Sequence, residues 1–134
     1  MGKTTTNRAL GKAIAGAVIA ALAIKIFFFD LVIAEGHSMN PAIKPGSLLV
    51  VCKAFYGIRL PPRGNYLLRW KALKKGDVVV FYTPLGEIAV KRCMEIVPGN
   101  EFIALGDNSS QSYDSRSYGP VPYNNIIGRV LGVK

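Results

Sequence analysis

The sequence predicts a mainly β protein, a compact antiparallel β domain anchored by one N-terminal transmembrane helix. An apolar run fills residues 13–29 behind the basic residues Lys3, Arg8 and Lys12. After residue 30 no stretch has the spacing of an amphipathic helix, whereas short apolar runs alternate with turns rich in Pro and Gly. The chain has 134 residues, which leaves room for one domain of roughly 100 residues beyond the apolar run. That is enough to bury a core without metal or disulfide.

Each element has a local reason. A helix over residues 13–29 would be about 25 Å long at about 1.5 Å per residue, near the lower limit for crossing a bilayer. Lys12 and Lys25 can snorkel outward and lengthen the usable span. The basic start puts the N-terminus in the cytoplasm, and the three phenylalanines at 27–29 suit the outer interface. The chain thus divides into a basic tail (1–12), a transmembrane helix (13–29) and an extracytoplasmic β-rich domain (30–134). A removable signal peptide is the competing reading, with Val32-Ile33-Ala34 as a small-residue cleavage site. Lys25 and Asp30 count against it, because they fall where such a peptide stays uncharged.

Beyond residue 30 the pattern is β. Residues 31–34 form a short apolar run, 41–46 a turn and 47–53 a strand with a continuous buried-type core. A loop covers 56–75. Val78–Tyr82 and residues 88–92 read as a hairpin around Thr83-Pro84-Leu85-Gly86. Pro98-Gly99-Asn100 is another turn, Glu101–Leu105 a strand, and 126–133 the last one.

The formal charge is +9, from 17 Lys and Arg against 8 Asp and Glu. Basic proteins bind nucleic acid or lie on anionic lipid. Arg59, Arg63, Arg69, Lys71, Lys74 and Lys75 share one loop with Tyr56, Tyr66 and Trp70, a mixture that suits a headgroup layer, a single-stranded nucleic acid or a solvated loop. The adjacent apolar helix favours a lipid bilayer as the partner over nucleic acid. Cys52 and Cys93 each sit in an apolar run and read as buried thiols, with a single bridge the alternative in an oxidising compartment. His37 is the only histidine and no cluster has metal-ligand spacing, so neither metal nor cofactor is expected.

Three stretches carry chemistry. Gly36-His37-Ser38-Met39-Asn40-Pro41 presents a serine just past the apolar segment. A serine hydroxyl needs a base to act as a nucleophile. His37 is adjacent, but neighbours in an extended segment point to opposite faces. Lys91 ends an apolar run, and burial there would lower its pKa and leave a neutral amine as base; an exposed strand-end lysine is the bland alternative. The third stretch holds Asp107, Asn108, Ser112, Asp114, Ser115 and Arg116. It reads either as a plain polar loop or as a support in which Asp114 pairs with Arg116 and Ser112 orients an amine.

GHSMNPAIKPGSLLVV, KKGDVVVF, VKR followed by PG, and GDN with SYDSR and GPV, in that order behind one membrane segment, resemble the type I signal peptidase family. The match covers nearly the whole chain from Lys25 onward. The resemblance implies a membrane-bound serine endopeptidase with a Ser/Lys dyad that removes signal peptides from exported preproteins. It implies Ser38 as nucleophile and backbone oxyanion donor, Lys91 as general base, Ser112 as the residue that orients the lysine, and Asp107, Asp114 and Arg116 as structural support. Three departures stand out. Gly36 replaces a serine that assists the oxyanion hole in some members. One residue more than expected separates Lys91 from Pro98, as a bulge would, and Asn100 replaces a frequent Asp. The large second domain of some members is also missing. Two alternatives remain: a specialised relative that processes a single pilin or transfer-system precursor, and a catalytically silent membrane-anchored binding protein. A self-cleaving repressor would need a DNA-binding helix pair where the apolar run stands.

Overall fold

A computed structural model describes residues 2–60 and 65–133, with side chains from residue 6 onward. Helix α1 (Gly2–Phe28) runs straight into strand β1 (Phe29–Ile33). The helix therefore takes in the basic N-terminal residues as well as the apolar run. Its segment Thr6–Phe28 is fully exposed and long and apolar enough to cross a membrane, about 35 Å at 1.5 Å per residue.

The rest is a seven-stranded antiparallel sheet in the order β1-β2-β9-β5-β6-β7-β8. Its other members are β2 (Leu48–Cys52), β5 (Val78–Tyr82), β6 (Ile88–Val97), β7 (Glu101–Leu105), β8 (Val121–Pro122) and β9 (Ile126–Val130). β5 explains why the valine run is continuous and not alternating. Val79 and Phe81 enter a core with Tyr56, Phe102 and Ile126, while Val78 and Val80 enter another with Met39, Ile43, Leu49 and Val51. A strand buried on both faces has no polar side.

Four predicted features shift. The strand expected at 31–34 begins earlier, at Phe29, because Phe29 to Ile33 pair with Cys52 to Leu48. The last strand stops at Val130. The supposed loop 56–75 contains a two-stranded ribbon, β3 (Gly57–Arg59) with β4 (Tyr66–Arg69). A one-turn helix, α2 (Ser115–Tyr118), lies in the last motif. The extra residue after Lys91 is a bulge: the β6–β7 register steps between Cys93 and Glu95, which leaves Met94 unpaired.

Many of the loop's cations serve the fold. Arg59 donates to the Asn124 carbonyl at 3.2 Å and to the Ile126 carbonyl. Arg69 lies over the Tyr123 ring at 4.5 Å and Lys71 over Phe55 at 4.0 Å. Arg63 lies outside the described residues. Cys52 and Cys93 are both free, and burial pushes the Cys93 thiol up to about 11.

Asp77 ties these parts together. It accepts from Tyr56 Oη at 2.8 Å and from the Lys74 N–H at 3.1 Å, and it pairs with Arg129 at 3.2 Å. Asp77→Ala would strand a buried hydroxyl and a half-buried guanidinium, so chemical denaturation in detergent should show a loss of about 2–4 kcal/mol. A loss below about 0.5 kcal/mol would mean that the network contributes nothing measurable.

Candidate active site

Ser38 lies in a turn between β1 and β2. Gly36, at φ +78°, starts that turn in the left-handed region that favours glycine, which gives a backbone reason for glycine at this position. Met39 and Ile43 are buried in the core that includes Val78 and Val80, and Ile43 N–H donates to the Met39 carbonyl at 2.8 Å. Ser38 is thus held from behind by apolar packing, with its hydroxyl half-exposed.

Lys91 arrives from the sheet. It pairs with Val79 across the β5–β6 ladder and is 6% exposed. Its Nζ donates to Ser38 Oγ at 2.6 Å, across 53 positions of sequence. Loss of solvation lowers the Lys91 pKa from its ordinary 10.5, and the negative charge of Asp114 opposes that shift. His37 makes no such contact. The segment bends and turns at 36–42, so strand alternation does not govern where this histidine points, and it stands exposed at the rim.

The loop from Gly106 to Arg116 braces both residues. Asn108 N–H donates to the Ser38 carbonyl at 2.9 Å. Asp107 takes two bonds from Arg92, at 2.8 and 2.7 Å, beside Lys91 in the strand. Asp114 is fully buried and accepts from Ser112 Oγ at 2.6 Å and the Gly106 N–H at 2.9 Å. Arg116 adds its backbone N–H and two guanidinium bonds, at 2.9 and 2.6 Å. Burial would raise the Asp114 carboxyl, but the donors from Arg116, Gly106 and Ser112 outweigh it and hold the group well below the usual carboxylate range. Ser112 spends its hydrogen on Asp114. Among the described residues the Lys91 amine bonds Ser38 and not Ser112. A Cβ at Gly106 would come 2.6 Å from the Ser38 carbonyl oxygen and closer still to Ser112 Oγ, so only glycine lets the loop approach.

A cleft of about 520 Å³ opens over Ser38 and Lys91. One wall is Val32 to Gly36 and the other is Glu87 to Val90, with Gln111 and Tyr113 also lining it. Among the described residues both walls have free strand edges, since β1 pairs only with β2, and β7 joins β6 only from Arg92 onward.

A profile of the family described as signal peptidase, peptidase S26, matches residues 7–96 and 88–133. The chain belongs to that family. It is 30% identical to the probable signal peptidase I-2 of Synechocystis, over 91% of this chain and 70% of that protein. It is 29% identical to signal peptidase I of Bacillus caldolyticus, over 85% and 84%. It is also 30% identical to the human mitochondrial inner membrane protease subunit 1, over 98% and 82%. The family is one of proteases.

Sequence reasoning did not single out Arg92, Gly106, Gln111 or Tyr113. Arg92 carried the one usable signal, since it follows Lys91 directly and strand alternation turns it to the opposite face. Asp114, with its depressed pKa, contributes stability that is present above about pH 3.8, the unfolded value, and is lost as pH falls further toward the folded value. Denaturant midpoints measured through this acid range should fall more steeply for the wild type than for Asp114→Asn. Parallel curves would contradict the assignment.

Proposed function

We propose that the protein is a membrane-anchored serine endopeptidase of the signal peptidase I type, which removes N-terminal signal peptides from exported preproteins, with Ser38 as nucleophile and Lys91 as general base. The observation that carries this is the 2.6 Å contact between a buried lysine amine and a half-exposed serine hydroxyl under an open cleft.

With the amine neutral the contact reverses direction. Ser38 O–H donates to Lys91 Nζ and Oγ attacks the carbonyl carbon of the scissile bond. The Ser38 N–H, which donates to no other described residue, holds the developing oxyanion. The intermediate collapses with cleavage of the C–N bond, and the Lys91 ammonium returns its proton to the departing amine of the mature protein. Lys91 then takes a proton from water, whose oxygen attacks the Ser38 ester; the C–Oγ bond breaks, the Lys91 ammonium returns its proton to Oγ, and the signal peptide leaves as a carboxylic acid. Asp107, Ser112, Asp114 and Arg116 act as support and hold the loop that bonds the Ser38 carbonyl.

An extended peptide in the cleft can hydrogen-bond to either free strand edge. Ala34 and Met39 line it behind Ser38, which favours small side chains one and three residues before the cut. The anchor is a single-pass helix with its N-terminus inside and the β domain outside the cytoplasmic membrane. A reporter fused after Lys134 should be active only outside the cytoplasm, and activity of a cytoplasm-restricted reporter would reverse the orientation.

Cleavage of several unrelated preproteins in detergent, with Ser38→Ala as control, separates a general peptidase from a single-substrate enzyme and from a silent binding protein. Activity should rise with pH through the lowered Lys91 pKa, that is, below 10.5. Lys91→Arg keeps the charge but cannot release it, so turnover should fall by about 10²–10⁴-fold. Substantial activity with an unchanged pH profile would eliminate Lys91 as the base.

A further inference from the structure

The eight carboxylate side chains of the chain fall into two groups. Each aspartate has a basic partner: Asp30 with Lys53, Asp77 with Arg129, Asp107 with Arg92 and Asp114 with Arg116. Among the described residues none of the four glutamates is in an ion pair. Two of them, Glu35 and Glu87, are exposed and line the cleft over Ser38, one on each wall. Among the described residues the basic side chains lining it are His37 and Lys91, and Lys91 is buried against Ser38 with its charge disfavoured. In a protein with a formal charge of +9, two of the four unpaired glutamates therefore line the cleft over Ser38.

Their spacing gives the reach. Glu35 precedes Ser38 by three residues, at most about 10 Å of chain. Glu87 precedes Lys91 by four, about 13 Å along an extended strand. A substrate extended from the scissile bond covers about 3.3 Å per residue, so side chains four and five positions from the cut come level with the carboxylates.

We propose that Glu35 and Glu87 form a charge filter that favours Lys or Arg, and disfavours Asp or Glu, four or five residues before the cleaved bond. The inference rests on the endopeptidase reading above. Both carboxylates are exposed, so each contributes the modest discrimination of a surface ion pair, about two- to fivefold, and salt weakens it.

The test uses the full chain in neutral detergent micelles and one preprotein carrying Lys, Ala or Glu at each of the fourth and fifth positions before the cut. The readout is the ratio of kcat/KM for the Lys and Glu substrates, which is independent of how fast each variant cuts. At one of these positions the wild-type ratio should be about fivefold or more in low salt and should shrink toward one at about 1 M salt. The double variant Glu35→Gln with Glu87→Gln should bring the ratio near one, and Glu35→Lys with Glu87→Lys should invert it. A wild-type ratio near one at both positions, or a ratio that survives the double Gln change, would overturn the filter while leaving the endopeptidase reading intact. Failure of the wild type to cut even the Ala substrate would overturn that reading, and the filter with it.

Discussion

A lysine amine held out of water beside a serine hydroxyl is the constraint on which the rest depends. Water would keep Lys91 charged, and a charged amine can only donate to Ser38 Oγ. Its burial in β6, at 6% exposure, lowers its pKa and makes the neutral form accessible. The same burial costs stability. The folded pKa lies below the unfolded value, so the unfolded chain holds the proton more tightly. The cost is complete below the folded pKa and disappears as pH rises toward 10.5. Stability and the fraction of neutral amine therefore rise over the same window.

The sheet and the last motif share the task of keeping that amine in place. β5, buried on both faces, fixes the strand from which Lys91 projects, and Arg92 clamps the next position to Asp107 at 2.7 Å. Asp114 gathers Arg116, Ser112 and the Gly106 N–H around one buried carboxylate. Its charge works against neutralising Lys91, and the desolvation of the amine is the larger effect. The site thus tolerates one buried negative charge because Arg116 balances it.

Much of this was legible in the sequence. The span and the hairpin around Thr83-Pro84-Leu85-Gly86 follow from local patterns, and the bulge after Lys91 from one residue more than the family spacing. The pairing of Asp114 with Arg116, two positions apart, was also within reach of local reasoning. The ribbon of β3 and β4 was not, because its strands are short and their residues mostly exposed, so no periodicity marks them. The turn at Ser38 was misread as extended, since its shape is imposed by Met39 and Ile43 entering a distant core. The meeting of Ser38 with Lys91 needs the sheet to curl over 53 positions of sequence. No spacing rule encodes that, and resemblance to a known family supplied it.

The account stands on the protonation state of one amine, which lysine-selective carbon NMR can follow directly. Recorded across pH on the detergent-solubilised chain labelled at the lysine ε-carbons, one resonance should titrate below the ordinary 10.5 and vanish in Lys91→Arg. If every lysine of the wild type titrated near the ordinary value of about 10.4, Lys91 would be a charged donor to Ser38 and not its base.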